Sequence, residues 1–398
     1  MSEKTAAAVK PKKQRLLALD ILRGITIAGM ILVNNPGSWS HIYAPLEHAE
    51  WNGLTPTDLV FPFFMFIMGI STFISLRKFE FKFSWPLFWK IVRRTVVIFL
   101  IGIAIAWFSK LCYGLAGGKS FGEAANSFSE LRILGVMPRL AICYCAASIV
   151  AILLRAKHIL WVVAGLLVTY AIVLFAGSGW DVSVDNILSV VDRAVLGDAH
   201  MYHDTPFKDA GIPFDPEGII STLGAIAHVL LGFWVGKLFM GEKDNNLKIN
   251  KLFIVGAILM FAGFLLDYGM PINKKIWSPT YVLETCGLAS TLLGLLIWII
   301  DIKGYKKWCR FFEAFGINPL FMYVLGGVLG IIFGSFKFIP SAAADAGVTS
   351  IKGFVYNDCL CQWFSDPTFA SCLYAILFII FNWSIGYILY KKKIYIKI

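Results

Sequence analysis

Long apolar runs separated by short polar or basic segments dominate the chain. Ten runs are long enough to cross about 30 Å of hydrocarbon as an α-helix. They lie at 16–33, 58–76, 87–108, 133–153, 158–176, 218–239, 250–267, 279–300, 311–334 and 368–390. We therefore predict an all-α protein, a polytopic integral membrane helix bundle of about ten transmembrane helices. It forms one membrane domain over 16–390, between basic tails at 1–15 and 391–398.

The composition agrees with this pattern. Of the 398 residues, 58% are hydrophobic and 15% are charged, and the mean hydropathy is +0.71, outside the usual range of soluble domains. The formal charge of +11 comes from lysines and arginines that flank the apolar runs. Because no basic domain with interleaved aromatic residues is present, this charge does not indicate nucleic-acid binding. The expected partner of these cations is the lipid bilayer with its anionic headgroups.

The distribution of basic residues predicts the orientation. If the N-terminus is cytoplasmic, 25 of the 36 lysines and arginines fall on the inner side and 9 on the outer side, with Arg23 and Arg139 inside helices. Cytoplasmic loops of membrane proteins carry this excess. We therefore expect both termini in the cytoplasm and a multi-pass protein of the cytoplasmic (inner) membrane. The first apolar run contains charges and is expected to remain as an anchor, not as a cleaved signal peptide.

The predicted outer loops are long and rich in glycine, aspartate, proline and aromatic residues. Because long loops on one face commonly carry binding residues, we expect the substrate on the outer side. The eight cysteines form no Cys-x-x-Cys pair and no zinc-binding spacing, so no metal is expected. Cys359 and Cys361, with Cys112, could form a disulfide if the outer compartment is oxidising.

A polar and aromatic stretch leads into the second apolar run, from His48 to Gly69, and reads HAEWNGLTPTDLVFPFFMFIMG. His48 is a candidate general base, because an imidazole that titrates near neutral pH can take a proton from an amine or a hydroxyl. It could equally be a bystander. Asp58 can simply cap the helix that follows. Trp51, next to Asn52, can anchor at the membrane interface or stack on a sugar ring.

Asn34 ends the first predicted helix. An asparagine there commonly caps the helix, but its neutral amide could also stabilise a developing oxyanion. Earlier in the same helix, Asp20 and Arg23 lie on one face and can pair. Either this pair and Arg139 have a purely structural role, or they mark a binding path through the membrane.

On the predicted inner side, Arg93 and Arg94 belong to a basic cluster. Positive-inside bias alone explains such a cluster, but guanidinium groups also suit phosphate binding. Both interpretations stay open from the residues alone.

Several motifs together resemble those of the bacterial relatives of lysosomal heparan-α-glucosaminide N-acetyltransferase. Besides the 48–69 stretch, they are LDILRG at 19–24, VNN at 33–35, LGVMPRLAICY at 134–144, VDRAVLGDAHMY at 191–202, FDPEGIISTLGAIAHVLLGFWVGK at 214–237, PINKKIWSPTYVL at 271–283 and GINPLFMYV at 316–324. They keep the order of the family across nearly the whole membrane portion.

The resemblance implies an acyltransferase that moves an acetyl group from cytoplasmic acetyl-coenzyme A (acetyl-CoA), its cosubstrate, across the bilayer to the amine of a glucosamine-type sugar or glycan. His48 would be the general base, and Asn34 would donate to the thioester carbonyl or oxyanion. Candidate acceptor-binding residues are Trp51, Asn52, Asp58, Asp215, Glu217 and Asn318. Candidate acetyl-CoA-binding residues are Asp20, Arg23, Arg93, Arg94 and Arg139.

Two alternative functions keep the same fold class. A membrane transporter of a small solute would use the intramembrane charges as a pathway, although no pair of broken helices or inverted repeats is apparent. An O-acetyltransferase would act on sugar hydroxyls. We prefer direct transfer over an acetyl-histidine intermediate. A homodimer is expected only because twofold assemblies are the commonest oligomers.

Overall fold

The computed structural model describes residues 16–204, 206–344 and 347–396. Its main helices are α1 Leu17–Asn34, α2 Val60–Leu76, α3 Trp85–Ala116, α4 Val136–Leu153, α5 Ile159–Ala176, α6 Thr222–Gly241, α7 Asn245–Asp267, α8 Pro279–Ile297, α9 Cys309–Ile317, α10 Pro319–Ser335 and α11 Pro367–Lys391. A small antiparallel hairpin, β1 Lys337–Pro340 and β2 Val348–Ser350, follows α10. The predicted tail at 1–15 and residues 397–398 lie outside the described residues.

Within the described residues, nine helices are long and apolar enough to cross a membrane, and the bent pair α9–α10 would be a tenth if it forms one span. The all-α prediction of about ten spans is thus confirmed. The chain is an integral, multi-pass membrane protein.

Two helices differ most from the predicted ranges. The helix α3 continues to Ala116, beyond the predicted end at 108, because Leu111 and Cys112 are buried and keep one face of its last turns against the bundle. The predicted continuous helix at 311–334 is instead broken at Asn318 by a bend of 88°. Pro319 explains the break, since its ring disfavours the helical conformation of the residue before it.

Glycines allow the closest helix contacts. The helices α2 and α6 approach each other so closely that a Cβ on Gly232 would collide with the backbone oxygen of Phe66, and one on Gly69 with that of Val229. In the same way, a Cβ on Gly24 of α1 would collide with the backbone oxygen of Phe312 in α9, and one on Gly316 of α9 with that of Asp20 in α1. These contacts fix α1 and α2, the two helices that flank the His48 loop.

One end of the bundle carries most of the ordered loops, and we call it the His48 end. The loop between α1 and α2 there contacts the segment before α8, through Asn52 and Asn273, whose side-chain amides are 3.1 Å apart. The segment before α4 is tied to the segment before α6 by ion pairs of Arg132 with Asp215 and Glu217. Loops distant in sequence therefore form one surface.

We expect Gly232→Val to destabilise the bundle by about 1–3 kcal/mol, because the added side chain meets backbone that cannot move aside. Gly165→Val is the matched control, since no atom lies within 4 Å of a Cβ built on that exposed glycine. The measurement is the thermal unfolding midpoint of the purified proteins in detergent. Equal midpoints for the two variants would contradict the proposed packing of α2 on α6.

Candidate active site

His48 is oriented by a buried carboxylate. Its Nδ1 lies 2.7 Å from Oδ1 of Asp58, whose side chain is 1% exposed. An ionised carboxylate only accepts hydrogen bonds, so Nδ1 of the imidazole donates to it. In the neutral imidazole, Nε2 then keeps the lone pair. This is the tautomer that a general base requires.

Asp58 is itself fixed by the loop that it closes. Its Oδ2 accepts hydrogen bonds from the backbone N–H groups of Ala49 and Thr55, both at 3.1 Å. The hydroxyl of Tyr281, from α8, donates to its backbone oxygen at 2.6 Å. Asp58 therefore caps the turn that precedes α2, as the sequence predicts, and uses its other oxygen to hold His48.

A lysine from a distant segment completes this group. Nζ of Lys274 lies 2.9 Å from Nδ1 and 3.1 Å from Nε2 of His48, and 3.4 Å from Oδ1 of Asp58. Burial lowers the pKa of Lys274, although Asp58 and Glu217 partly oppose this by stabilising the ammonium. The position of Lys274 within the PINKKIW motif is the only signal in the sequence that could have pointed to it.

The segment 271–278 holds Lys274 in place. Oδ1 of Asn273 accepts from the backbone N–H of Ile276 at 3.1 Å, and Tyr170 donates a hydrogen bond to the Ile276 oxygen. Trp277 has φ of 55°, the left-handed region, and is buried. A non-glycine residue persists in that conformation only where its surroundings fix it.

Two adjoining cavities open at the His48 end. The His48 cavity, about 630 Å³, is lined by His48, Lys274 and Trp277, and by the carboxylates of Glu47, Glu50, Asp204 and Glu217. The glycine-lined cavity, about 430 Å³, lies between α1, α3, α4 and α10. Its glycines are Gly102, Gly135, Gly326, Gly327, Gly330 and Gly334. The residues that line both cavities are Met30, Asn34, Trp39, Arg132, Val136 and Tyr323.

Asn34 therefore lies where the two cavities meet. Within the described residues its side chain makes no hydrogen bond, and it is exposed at the end of α1. The next residue instead makes the side-chain hydrogen bond at the end of the helix, because Nδ2 of Asn35 donates to the Ile31 backbone oxygen at 2.9 Å. The capping role that the sequence suggested for Asn34 is thus filled by Asn35, which leaves the Asn34 amide available to a ligand.

Arg132 lines both cavities and is held by the acidic motif before α6. Its Nε and Nη2 bind Asp215 at 2.9 and 2.6 Å, and Nη2 binds Glu217 at 2.5 Å. Burial opposes its charge, but the two carboxylates raise the pKa of Arg132. Asp215 is fully buried and binds Arg132, whereas Glu217 also lines the His48 cavity. The sequence did not point to Arg132, because it shows there only a single cation before α4.

Several predicted acceptor-binding residues line neither cavity. Trp51 packs against Phe207 and Phe214 and donates to the Trp180 oxygen at 3.0 Å. Asn52 braces the segment before α8. Asn318 is buried and holds the C-terminal segment, through the backbone oxygen of Ile394 at 2.9 Å and the N–H of Ile396 at 2.8 Å. These side chains support loops and do not face the His48 cavity.

The residues predicted to bind acetyl-CoA also lie apart from the two cavities. Arg23 pairs with Asp20 at 3.0 Å and donates to the Ser71 hydroxyl at 2.9 Å. Arg93 is exposed on the first turns of α3, and Arg94 stacks on the Tyr144 ring at 4.6 Å. All four charged residues are toward the end of the bundle opposite His48.

Arg139 is close to the site but lies behind the residues that line the His48 cavity. It is fully buried, donates to the Gly218 oxygen at 3.2 Å and to Ser221, and lies over the Trp277 ring at 5.2 Å. It therefore supports Trp277 and does not reach the cavity.

Neither a metal site nor a disulfide is found in the parts of the chain that the structure describes. No cluster of three or more histidine, cysteine or acidic side chains there could hold a metal ion. His200, in the acidic and histidine-rich loop, binds the Leu131 oxygen at 2.8 Å. Cys112, Cys359 and Cys361 are free thiols, like the other cysteines.

No protein-family model matches the chain. Two curated proteins are similar to it, both named heparan-alpha-glucosaminide N-acetyltransferase. The one from Mus musculus is 26% identical over 435 residues, which cover 96% of this chain and 60% of that protein. The one from Homo sapiens is 28% identical over 367 residues, which cover 78% of this chain and 52% of that protein.

The chain thus spans between half and three-fifths of the length of these relatives. The similarity nevertheless covers 96% of this chain in the first relative and 78% in the second. This chain is a homologue of heparan-α-glucosaminide N-acetyltransferase.

Proposed function

We propose that this protein is a membrane-embedded acetyltransferase that moves the acetyl group of acetyl-CoA to the amine of a glucosamine-type sugar. One observation carries the proposal: His48, oriented by buried Asp58, and the unpaired amide of Asn34 line the same cavity. A base and a neutral hydrogen-bond donor are the two groups that acyl transfer to an amine requires. The N-acetyltransferase names of the homologues support the same reaction class.

His48 acts on the acceptor. As the amine nitrogen attacks the thioester carbonyl carbon, Nε2 takes its proton, and the imidazolium that forms is stabilised by the Asp58 carboxylate at 2.7 Å. Asp58 touches neither substrate and is a positioning residue. Proton transfer of this kind contributes about 10²–10⁴-fold to a rate.

Asn34 acts on the donor. Negative charge develops on the thioester oxygen during the attack, and the neutral amide of Asn34 donates a hydrogen bond to it. When the carbon–sulfur bond breaks, the thiolate of CoA takes the proton from His48, which returns the imidazole to its starting form. One preorganised donor of this type contributes about 10²–10³-fold.

The two cavities suit different substrates. The His48 cavity has four carboxylates and three cations, Arg132, Lys274 and Lys275, on its wall, which together can bind the amine and hydroxyls of a sugar. The lysine and arginine that line the glycine-lined cavity are Lys352 and Arg132, and no carboxylate of the described residues lines it. Its six glycines leave room for the narrow arm of an acyl donor, so we assign the donor to this cavity. Arg93 and Arg94 remain the proposed contacts for the CoA phosphates at the opposite end.

A transporter remains the second candidate, favoured by the break between α9 and α10 at Asn318. Broken helices in transporters come as corresponding pairs in two halves, and the described residues contain one bent pair. A transporter would move its solute into proteoliposomes without changing it covalently. The acetyltransferase requires N-acetylglucosamine as the product of glucosamine, and little or no acetylation of glucose, which has a hydroxyl in place of the amine.

We expect His48→Gln to lower the turnover of purified protein by about 10²–10⁴-fold, because the acceptor amine loses its base. Asp58→Asn should lower it as well, because the imidazole loses the acceptor for its Nδ1 proton. The assay follows labelled acetyl from acetyl-CoA to glucosamine. His41→Gln is the matched control, since His41 lies on the same loop, is exposed and lines neither cavity. A folded His48→Gln protein with full turnover would contradict the proposed role.

We expect Asn34→Ala to lower kcat by about 10²–10³-fold with an unchanged unfolding midpoint, because its amide serves the transition state and not the fold. Asn35→Ala, in contrast, is expected to lower the unfolding midpoint. It removes the 2.9 Å hydrogen bond to the Ile31 oxygen and should lower stability by about 1 kcal/mol. Comparing kcat and the midpoint for both variants checks this. An Asn34→Ala protein that loses stability but not kcat would show a purely structural role.

A further inference from the structure

An amine of the protein itself lies next to the proposed base. Nζ of Lys274 is 3.1 Å from Nε2 of His48, the atom that takes the proton of the acceptor. A base must lie about 2.6–3.2 Å from the group it deprotonates. The Lys274 side chain is 17% exposed, and what is exposed faces the His48 cavity, which Asn34 also lines. Lys274 therefore occupies the position that the amine of a sugar would need.

We propose that Lys274 is an internal acetyl acceptor, to which the enzyme transfers the acetyl group when no sugar occupies the His48 cavity. This inference rests on the proposed acetyltransferase function and adds a modification site to it. The product would be N-acetyllysine at position 274 and free CoA.

The reaction balances with the groups already described. The Lys274 ammonium first gives one proton to solvent. Its neutral amine then attacks the thioester carbonyl carbon, a carbon–nitrogen bond forms, and the carbon–sulfur bond breaks. The proton released from Nζ passes through His48 to the CoA thiolate. Burial favours the reactive neutral amine, because it lowers the pKa of Lys274. No oxidant, reductant or metal is required.

Other lysines near the site lack this geometry. Lys275, the next residue, lines the same cavity but points its Nζ to Asp204, 3.3 Å away. Lys352 lines the glycine-lined cavity, where its Nζ lies over the Trp39 ring at 6.0 Å. The fixed segment 271–278 keeps the Lys274 amine at His48, so the modification is expected at one position.

Acetylation at this position would inhibit the enzyme. It removes the charge that pairs with Asp58 at 3.4 Å, and the added acetyl group takes up part of the cavity that the sugar needs. A bound sugar would displace the lysine amine from His48 and protect it. The enzyme would then stay active while its acceptor is present and lose activity when only the acyl donor is available.

The test incubates the purified full-length protein in detergent with acetyl-CoA alone, followed by intact mass measurement and peptide mapping. We expect one added acetyl group, at Lys274, and at least a tenfold slower modification when glucosamine is present. His48→Gln should abolish the modification while keeping the lysine. Lys275→Arg is the matched control and should still be acetylated at Lys274, whereas Lys274→Arg should gain no acetyl group.

Four results would overturn the inference. Equal rates at Lys274 in the wild type and in His48→Gln would mean simple chemical acetylation. Equal modification of Lys274, Lys275 and Lys208 would mean that the site confers no selectivity. An unmodified Lys274 in a preparation that acetylates glucosamine would reject the internal acceptor and leave the proposed function standing; failure of both reactions would reject both.

Discussion

The buried carboxylate of Asp58 is the constraint on which the site depends. A charge removed from water is tolerated only when its oxygens are paired, and here one oxygen holds His48 while the other closes the turn before α2. Tyr281 fixes the backbone of the same residue from α8, and Lys274 supplies a compensating cation. Two segments that are distant in sequence, 48–58 and 274–281, must therefore come together before this charge can be buried, so the His48 end and the site form together.

The bundle provides the rigid frame for this assembly. Close backbone contacts at Gly69 and Gly232 fix α2 against α6, and those at Gly24 and Gly316 fix α1 against α9. Since α1 ends at Asn34 and α2 begins just after Asp58, the two proposed functions of donating to the carbonyl and orienting the base are set by the same helix packing. Elements on rigid helices hold a reacting geometry better than free loops do. The cavities form where the helices separate at the His48 end.

The sequence predicted the helices well, because apolar runs of membrane length have few alternative structures. It also singled out His48 and Asn34, which the structure brings to one cavity. It missed Lys274 and Arg132, because the importance of a loop cation depends on contacts across more than 80 residues of sequence that periodicity does not reveal. Trp51 illustrates the same limit in the other direction. An aromatic residue beside a candidate base suggests sugar stacking, yet its ring packs in the loop core.

The central claim is that acetyl transfer takes place between His48 and Asn34. The most direct measurement is an experimental structure of the protein bound to a bisubstrate analogue, in which the acetyl carbon links the CoA sulfur to the amine of glucosamine. We expect the sugar nitrogen within hydrogen-bond distance of His48 Nε2, the linker oxygen facing the Asn34 amide, and Lys274 displaced from the imidazole. An analogue bound with its nitrogen away from His48 would contradict it.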